Sequence, residues 1–186
     1  MINLAAVHEH GYSLEEKTVF IWTDEDLDAA LAGQAARNIL MLDTLAPSKP
    51  LTIVLNSPGG STVQGLALYD IIKDCASHVI IKVYGEASSV AAWILQAGDT
   101  RLLSPNSRMM VHVGTEVYEE SHPEVIKNWV EFNSKIVEAR FEQIIYDRIK
   151  LVKPRFTMAQ LRKLLLFDTV FTPERALSYN LIDGII

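Results

Sequence analysis

At 186 residues, 49% of them hydrophobic, the chain suits one domain, residues 1–186, with a sizeable core, and its composition argues against disorder. A formal net charge of −6 gives no electrostatic reason to expect nucleic acid as a partner. The single cysteine, Cys75, excludes an intramolecular disulfide framework and a four-cysteine zinc site, and no apolar run is long enough to span a bilayer. Residues 1–16 are polar and are expected to be mobile or partner-dependent. Lys17 to Thr23 is a short β-branched and aromatic run, hence a strand. Asp24 to Asp28 supplies acidic caps for a helix reaching about Leu45, which Pro47 and Pro50 end. Leu51 to Leu55 is a buried strand closed by Asn56-Ser-Pro-Gly-Gly60, and a helix follows from about Thr62 to Asp74. His78 to Tyr84 predicts another strand, leading into the small and apolar helix of Gly85-Glu-Ala-Ser-Ser-Val-Ala-Ala-Trp-Ile-Leu-Gln-Ala-Gly98. Pro105-Asn106 is a turn, and Met109 to Val113 a strand. From Pro123 to about Lys150 the spacing of Val125, Trp129, Phe132, Ile136, Phe141, Ile144 and Ile145 predicts one long amphipathic helix. Two short helices, Thr157–Leu166 and Thr172–Tyr179, and a closing strand, Leu181–Ile186, complete the chain. Strands alternating with helices imply βαβ units and parallel pairing, an α/β class.

Four places could carry chemistry. Ser88 and Ser89 form a hydroxyl pair at the start of an apolar helix, where unpaired N–H groups and partial positive charge favour a nucleophile beside an oxyanion site. Capping and packing explain such serines equally well, and the local residues do not divide the roles between them. The paired glycines Gly59-Gly60 allow positive φ and close approach of the backbone to a ligand, or simply make a strand-to-helix turn. His112 lies in an apolar strand, either as a hydrogen-bonded core residue or as a general base. Asp168 follows the apolar run Leu164–Phe167, either as a helix cap or as the group that orients an imidazole. The other histidines show no metal-ligand spacing. No positively charged segment precedes an apolar stretch at the N-terminus, so no signal peptide and a cytoplasmic location are expected.

Taken in order, these segments resemble ClpP, the proteolytic subunit of the Clp proteases, from about Lys17 to the C-terminus. Asn56-Ser-Pro-Gly-Gly60, with Tyr69-Asp70 in the helix that follows, is similar to the family's Asn-Ser-Pro-Gly-Gly element. Gly85-Glu-Ala-Ser-Ser-Val-Ala-Ala92 resembles its Gly-x-Ala-Ala-Ser-Met-Gly-Ala nucleophile segment, a register that selects Ser89 and leaves Ser88 on a small-residue position. Pro105-Asn-Ser-Arg-Met-Met-Val-His112 matches Pro-Asn-Ser-Arg-x-Met-x-His. Asp168, Thr172, Ala176, Tyr179 and Leu181-Ile-Asp183 fall in register with the family's closing segment. The resemblance implies a spiral of ββα units with a projecting handle helix at about 123–150. It also implies serine endopeptidase chemistry, with Ser89 as nucleophile, His112 as base, Asp168 as its orienter, and the Gly60 and Val90 N–H groups as oxyanion hole. No metal or organic cofactor is implied. The implied partners are peptide or unfolded protein substrates, further copies in a heptameric ring, and a separate AAA+ unfoldase that would consume ATP, since this chain has no P-loop.

The chain departs from the family pattern in three places. After His112 a glycine-rich strand is replaced by the more acidic Val113-Gly-Thr-Glu-Val-Tyr-Glu-Glu120. Where many relatives carry an acidic–Arg pair that joins two rings, this chain has Leu166-Phe167, which cannot make a charged contact. A conventional double ring is therefore not assured. Asn180 replaces a glycine, a swap that asparagine's tolerance of left-handed backbone makes acceptable. The pattern fits a divergent relative, including one encoded by a phage or prophage. Two alternatives stay open: a crotonase-type acyl-CoA enzyme, which shares the spiral fold, and a non-catalytic ring or scaffold subunit.

Overall fold

The computed structural model describes residues 4–114 and 122–186. A helix α1 (Leu4–His10) and a two-residue strand β1 (Tyr12–Ser13) precede β2 (Thr18–Trp22), with β1 antiparallel to β2. No element is expected from the sequence in this N-terminal stretch. Ala6 is buried, and a bond from the Asn38 side chain to the His10 carbonyl (2.6 Å) ties the stretch to helix α2 (Ala29–Leu45). Of the acidic run before α2, Asp28 is the residue that caps it, accepting the Leu31 N–H at 2.8 Å. Leu27, fully buried, is drawn instead into a bridge with Gly60, so the helix cannot begin earlier.

The remaining elements are β3 (Leu51–Ser57), α3 (Thr62–Asp74), β4 (Val79–Ser88), α4 (Val90–Ala97), β5 (Thr100–Leu103), β6 (Arg108–Val111), α5 (Pro123–Phe132), α6 (Ala139–Val152), α7 (Met158–Leu165), β7 (Thr169–Phe171), α8 (Pro173–Ser178) and β8 (Gly184–Ile185). A π-helical turn, Asn133–Glu138, joins α5 to α6, so the expected long helix is continuous but changes pitch midway. β2, β3, β4, β5 and β8 are parallel neighbours in that order, joined by the helices between them, as the alternation of strands and helices implied. Besides β1, two strands are not expected from the sequence. β5 and β7 have four and three residues, too short for a period-2 pattern to register.

β4 is longer than its apolar run, and its two halves have different partners. Val83 pairs with Leu55 and Ala87 with Ser57, so β4 carries extra residues at 84–86 opposite Asn56. Before this bulge β4 pairs with β5; after it, Glu86–Ser88 pair with Arg108–Met110 of β6. Bulges bend a strand and re-aim its side chains, and here the bend turns β4 from β5 toward β6 while β3 stays paired on its other side. The buried apolar side chains form one cluster between the sheet and α2, α3, α4 and α6. All eight residues of α4 are buried at its centre, which explains why that helix is almost uniformly apolar.

Candidate active site

Ser89 is the hinge between β4 and α4, with φ 53° and ψ −123°. A non-glycine residue at positive φ costs on the order of 1–3 kcal/mol and persists only where its surroundings over-determine it. The restraints are visible. The Ser89 N–H donates to the Met110 carbonyl (2.9 Å), and its carbonyl accepts from the Ala92 N–H (3.0 Å). Gly59, at φ +104°, lies so close that a Cβ on it would come 2.7 Å from the Ser89 Cβ and 2.8 Å from the Ser88 carbonyl. Ser89 makes no side-chain cap, so its hydroxyl is not used by the helix. Ser88 does not cap either: buried, it donates to Glu86 Oε2 at 2.6 Å. The two hydroxyls that the sequence left interchangeable therefore have separate environments.

Val90 opens α4, where backbone N–H groups lack helical partners. Gly65 of α3 packs directly on the Val90 side chain, leaving no room there for a Cβ. Gly60, at φ +142°, faces Leu27 across the isolated bridge. That bridge uses the Gly59 carbonyl, which accepts the Leu27 N–H (2.6 Å), and the Ser61 N–H, which donates to the Leu27 carbonyl (3.1 Å). The Gly60 N–H takes no part in it.

His112 sits one residue beyond the end of β6 rather than inside it. The antiparallel register of β6 and β7 pairs Met109 with Phe171, Met110 with Val170 and Val111 with Thr169. One step further along, His112 meets Asp168. This is why two residues 56 positions apart in sequence come together, and why β7, hidden from the sequence reading, matters to the site. His112 Nδ1 and Asp168 Oδ1 are 3.0 Å apart, and His112 Nε2 and Ser89 Oγ 2.9 Å apart. The Val113 N–H donates to the Leu165 carbonyl (2.8 Å) and fixes the chain just past the imidazole. The histidine side chain is 25% exposed and the aspartate 72%. Ser89, His112 and Asp168 are thus in hydrogen-bonding sequence, next to a helix start and a glycine turn. Such an array can deprotonate a hydroxyl and stabilise an oxyanion.

The far end of α4 is tied down as firmly as its start. Arg101, 2% exposed, forms a two-pronged pair with Asp183 (2.6 and 2.9 Å) and donates to Gln96 Oε1 (2.8 Å). Gln96 in turn donates to the Leu181 carbonyl, and Arg148 of α6 donates to the Gln96 carbonyl. Burial alone would push the Asp183 carboxyl up. Hydrogen bonds from Arg101 and the charges of Arg101 and Arg148 outweigh it and hold the carboxyl below its ordinary range. Asn180 adopts φ 58°, the left-handed backbone expected at that position. The sequence alone names no partner for Asp183; the arginine in the short stretch between Gly98 and Pro105 is the available signal.

Cys75 is no competing nucleophile at neutral pH, since burial and the nearby Asp43 and Asp74 push its thiol up to about 11. Among the described residues no group of three or more His, Cys, Asp or Glu is placed to hold a metal ion. No helix among them is long and apolar enough to cross a membrane. The acidic stretch after Gly114, the first departure from the family pattern, lies at 115–121, outside the described residues.

Comparison with known proteins identifies the family. The chain is 29% identical over 178 residues to the ATP-dependent Clp protease proteolytic subunit of Deinococcus radiodurans, covering 93% of this chain and 81% of that protein. It is 28% identical over 174 residues to the ATP-dependent Clp protease proteolytic subunit 2 of Streptomyces coelicolor, covering 92% of this chain and 76% of that protein. In fold it is similar to a point mutant of ClpP1 from Listeria monocytogenes, with a TM-score of 0.78 at 23% identity, covering 93% of this chain and 92% of the other. The profile of the Clp protease family matches residues 6–186, and the chain belongs to that family of serine peptidases.

Proposed function

We propose that the chain is a serine endopeptidase in which Ser89 attacks a peptide carbonyl, His112 carries the proton and Asp168 orients the imidazole. The observation that supports this reading is the unbroken sequence of contacts from Ser89 Oγ through His112 to Asp168, at 2.9 and 3.0 Å. With Nδ1–H donating to Asp168, the Nε2 lone pair faces the serine hydroxyl and accepts its proton as Oγ adds to the carbonyl carbon. The Gly60 and Val90 N–H groups would hold the resulting oxyanion. Collapse breaks the C–N bond, His112 returns the proton to the leaving amine, and water then releases the acyl group by the same path reversed.

The relatives named above are proteolytic subunits of an ATP-dependent protease. By analogy, peptide or unfolded protein would be the substrate, several copies would enclose the site in a heptameric ring, and a separate AAA+ unfoldase would deliver chains to it. A fluorophosphonate probe tests the core of the proposal. Wild type should be labelled and Ser89→Ala should not; labelling that survives the substitution would sink the assignment. Mass in solution tests the ring, which a stable and active monomer would refute.

A further inference from the structure

The positive-φ backbone at Ser89 is restrained on its C-terminal side by α4. On its N-terminal side, backbone pairing with β6 is reinforced by side chains. Glu86 stands at the bulge where β4 leaves β5 and joins β6. Its N–H donates to Asn56 Oδ1 (2.9 Å), and the Asn56 side chain lies against Gly85, whose φ of +84° makes the bend. One carboxylate oxygen, Oε2, accepts the buried Ser88 hydroxyl at 2.6 Å, the residue directly before the nucleophile. The other, Oε1, faces Arg108 Nη2 at 3.2 Å, four residues before His112. Bonds to a charged acceptor, such as that from Ser88, are the shorter and stronger kind, while the pair with Arg108, whose side chain is 59% exposed, adds a weaker tie between the strands.

We infer that Glu86 is a positioning residue: through Ser88 and Arg108 it locks the strand that ends in Ser89 to the strand that ends in His112. The inference rests on the reading of Ser89 as nucleophile. The motif that this segment resembles has alanine where Ser88 stands. A hydroxyl in place of a methyl gives the carboxylate a buried donor to hold. Without it, the strand before the nucleophile would depend on backbone pairing alone.

The test uses the full chain with Glu86→Ala, Glu86→Gln and Ser88→Ala, measuring fluorophosphonate acylation rate, kcat and KM on a short peptide substrate, and Tm. Displacing a reacting group by a fraction of an ångström to an ångström costs up to about a hundredfold. Glu86→Ala is expected to slow acylation and lower kcat by roughly tenfold to a hundredfold, while KM stays within about twofold. Glu86→Gln keeps an oxygen for the Ser88 hydroxyl and should recover a large part of the loss. Wild-type acylation in Glu86→Ala would overturn the inference. So would a raised KM at constant kcat, which would make Glu86 a substrate contact. Equal losses in the alanine and glutamine variants would place the effect in the Arg108 charge pair and overturn the link to Ser88. Should Glu86→Ala fail to fold, Ser88→Ala decides: slowed acylation supports the clamp, and an unchanged rate refutes it. Labelling that survives Ser89→Ala is a different failure, that of the peptidase assignment itself.

Discussion

Helices α4 and α5 are both rich in apolar residues, yet every residue of α4 is buried and no residue of α5 is. α4 lies where sheet, α3 and α6 converge, so its side chains are covered by this chain alone. α5 carries Trp129, Val130 and Phe132, each about half exposed, and the described residues of the protomer leave them open to solvent. The same handle helix shows both conditions, because Phe141, Ile145 and Ile149 of α6 are buried against the core. An apolar stripe therefore reports that a face wants cover, and leaves open whether the cover comes from within the chain. In α4 burial serves the geometry of the proposed active site. In α5 exposure fits the proposed assembly.

Substitutions can break this contrast, and the largest effect is expected at the tip of the buried helix. Ser89→Ala should reduce kcat by at least about a thousandfold, with Tm little changed, in a peptide hydrolysis assay. Next comes packing: Ile94→Ala, in the middle of α4, should cost about 2–5 kcal/mol in chemical denaturation. Asp183→Asn leaves the guanidinium of Arg101 buried without its counter-charge, and about 3 kcal/mol should be lost in the same measurement. The depressed Asp183 carboxyl also gives a pH signature. Its stabilisation is complete above the ordinary carboxyl value of 3.8 and is lost as pH falls through the lower folded value, so the variant should show a shallower acid limb than wild type. The smallest effect belongs to the exposed helix. Trp129→Ala should change protomer stability by no more than about 0.5 kcal/mol, while lowering the assembled fraction measured by mass in solution. A stability loss as large as that of Ile94→Ala would mean that α5 is covered within the chain after all.

The residues differ in how far they could be read in advance. Asn56 to Gly60, the helix Thr62–Asp74 and the order of strands and helices were legible because turn residues and periodicity are local signals. Ser89, His112 and Asp168 could be named only as separate candidates, then joined through the resemblance to the family. What joins them physically is non-local. The register of β7 against β6 brings Asp168 to His112, and three residues of strand have no pattern to detect. The positive φ at Ser89 was equally hidden, since a serine there resembles an ordinary cap until the neighbouring Gly59 is seen pressed against it. Ser88 and Glu86 stand two apart on one strand, but their bond required knowing that the strand continues past Tyr84.

The π-helical turn at Asn133–Glu138 has a consequence for the handle's outward direction. A π turn holds one residue more than the α turn it replaces, and one residue corresponds to about 100° around a helix axis. Because the wider turn absorbs the additional residue, the Trp129 face keeps its direction; were the same residues forced into a regular α-helix, that face would swing by roughly that angle about the axis. The triad would be untouched while the handle presented a different side to its surroundings. The wide turn keeps the handle aimed despite its additional residue, and deleting one residue within Asn133–Glu138 should leave the assembled fraction measured by mass in solution unchanged.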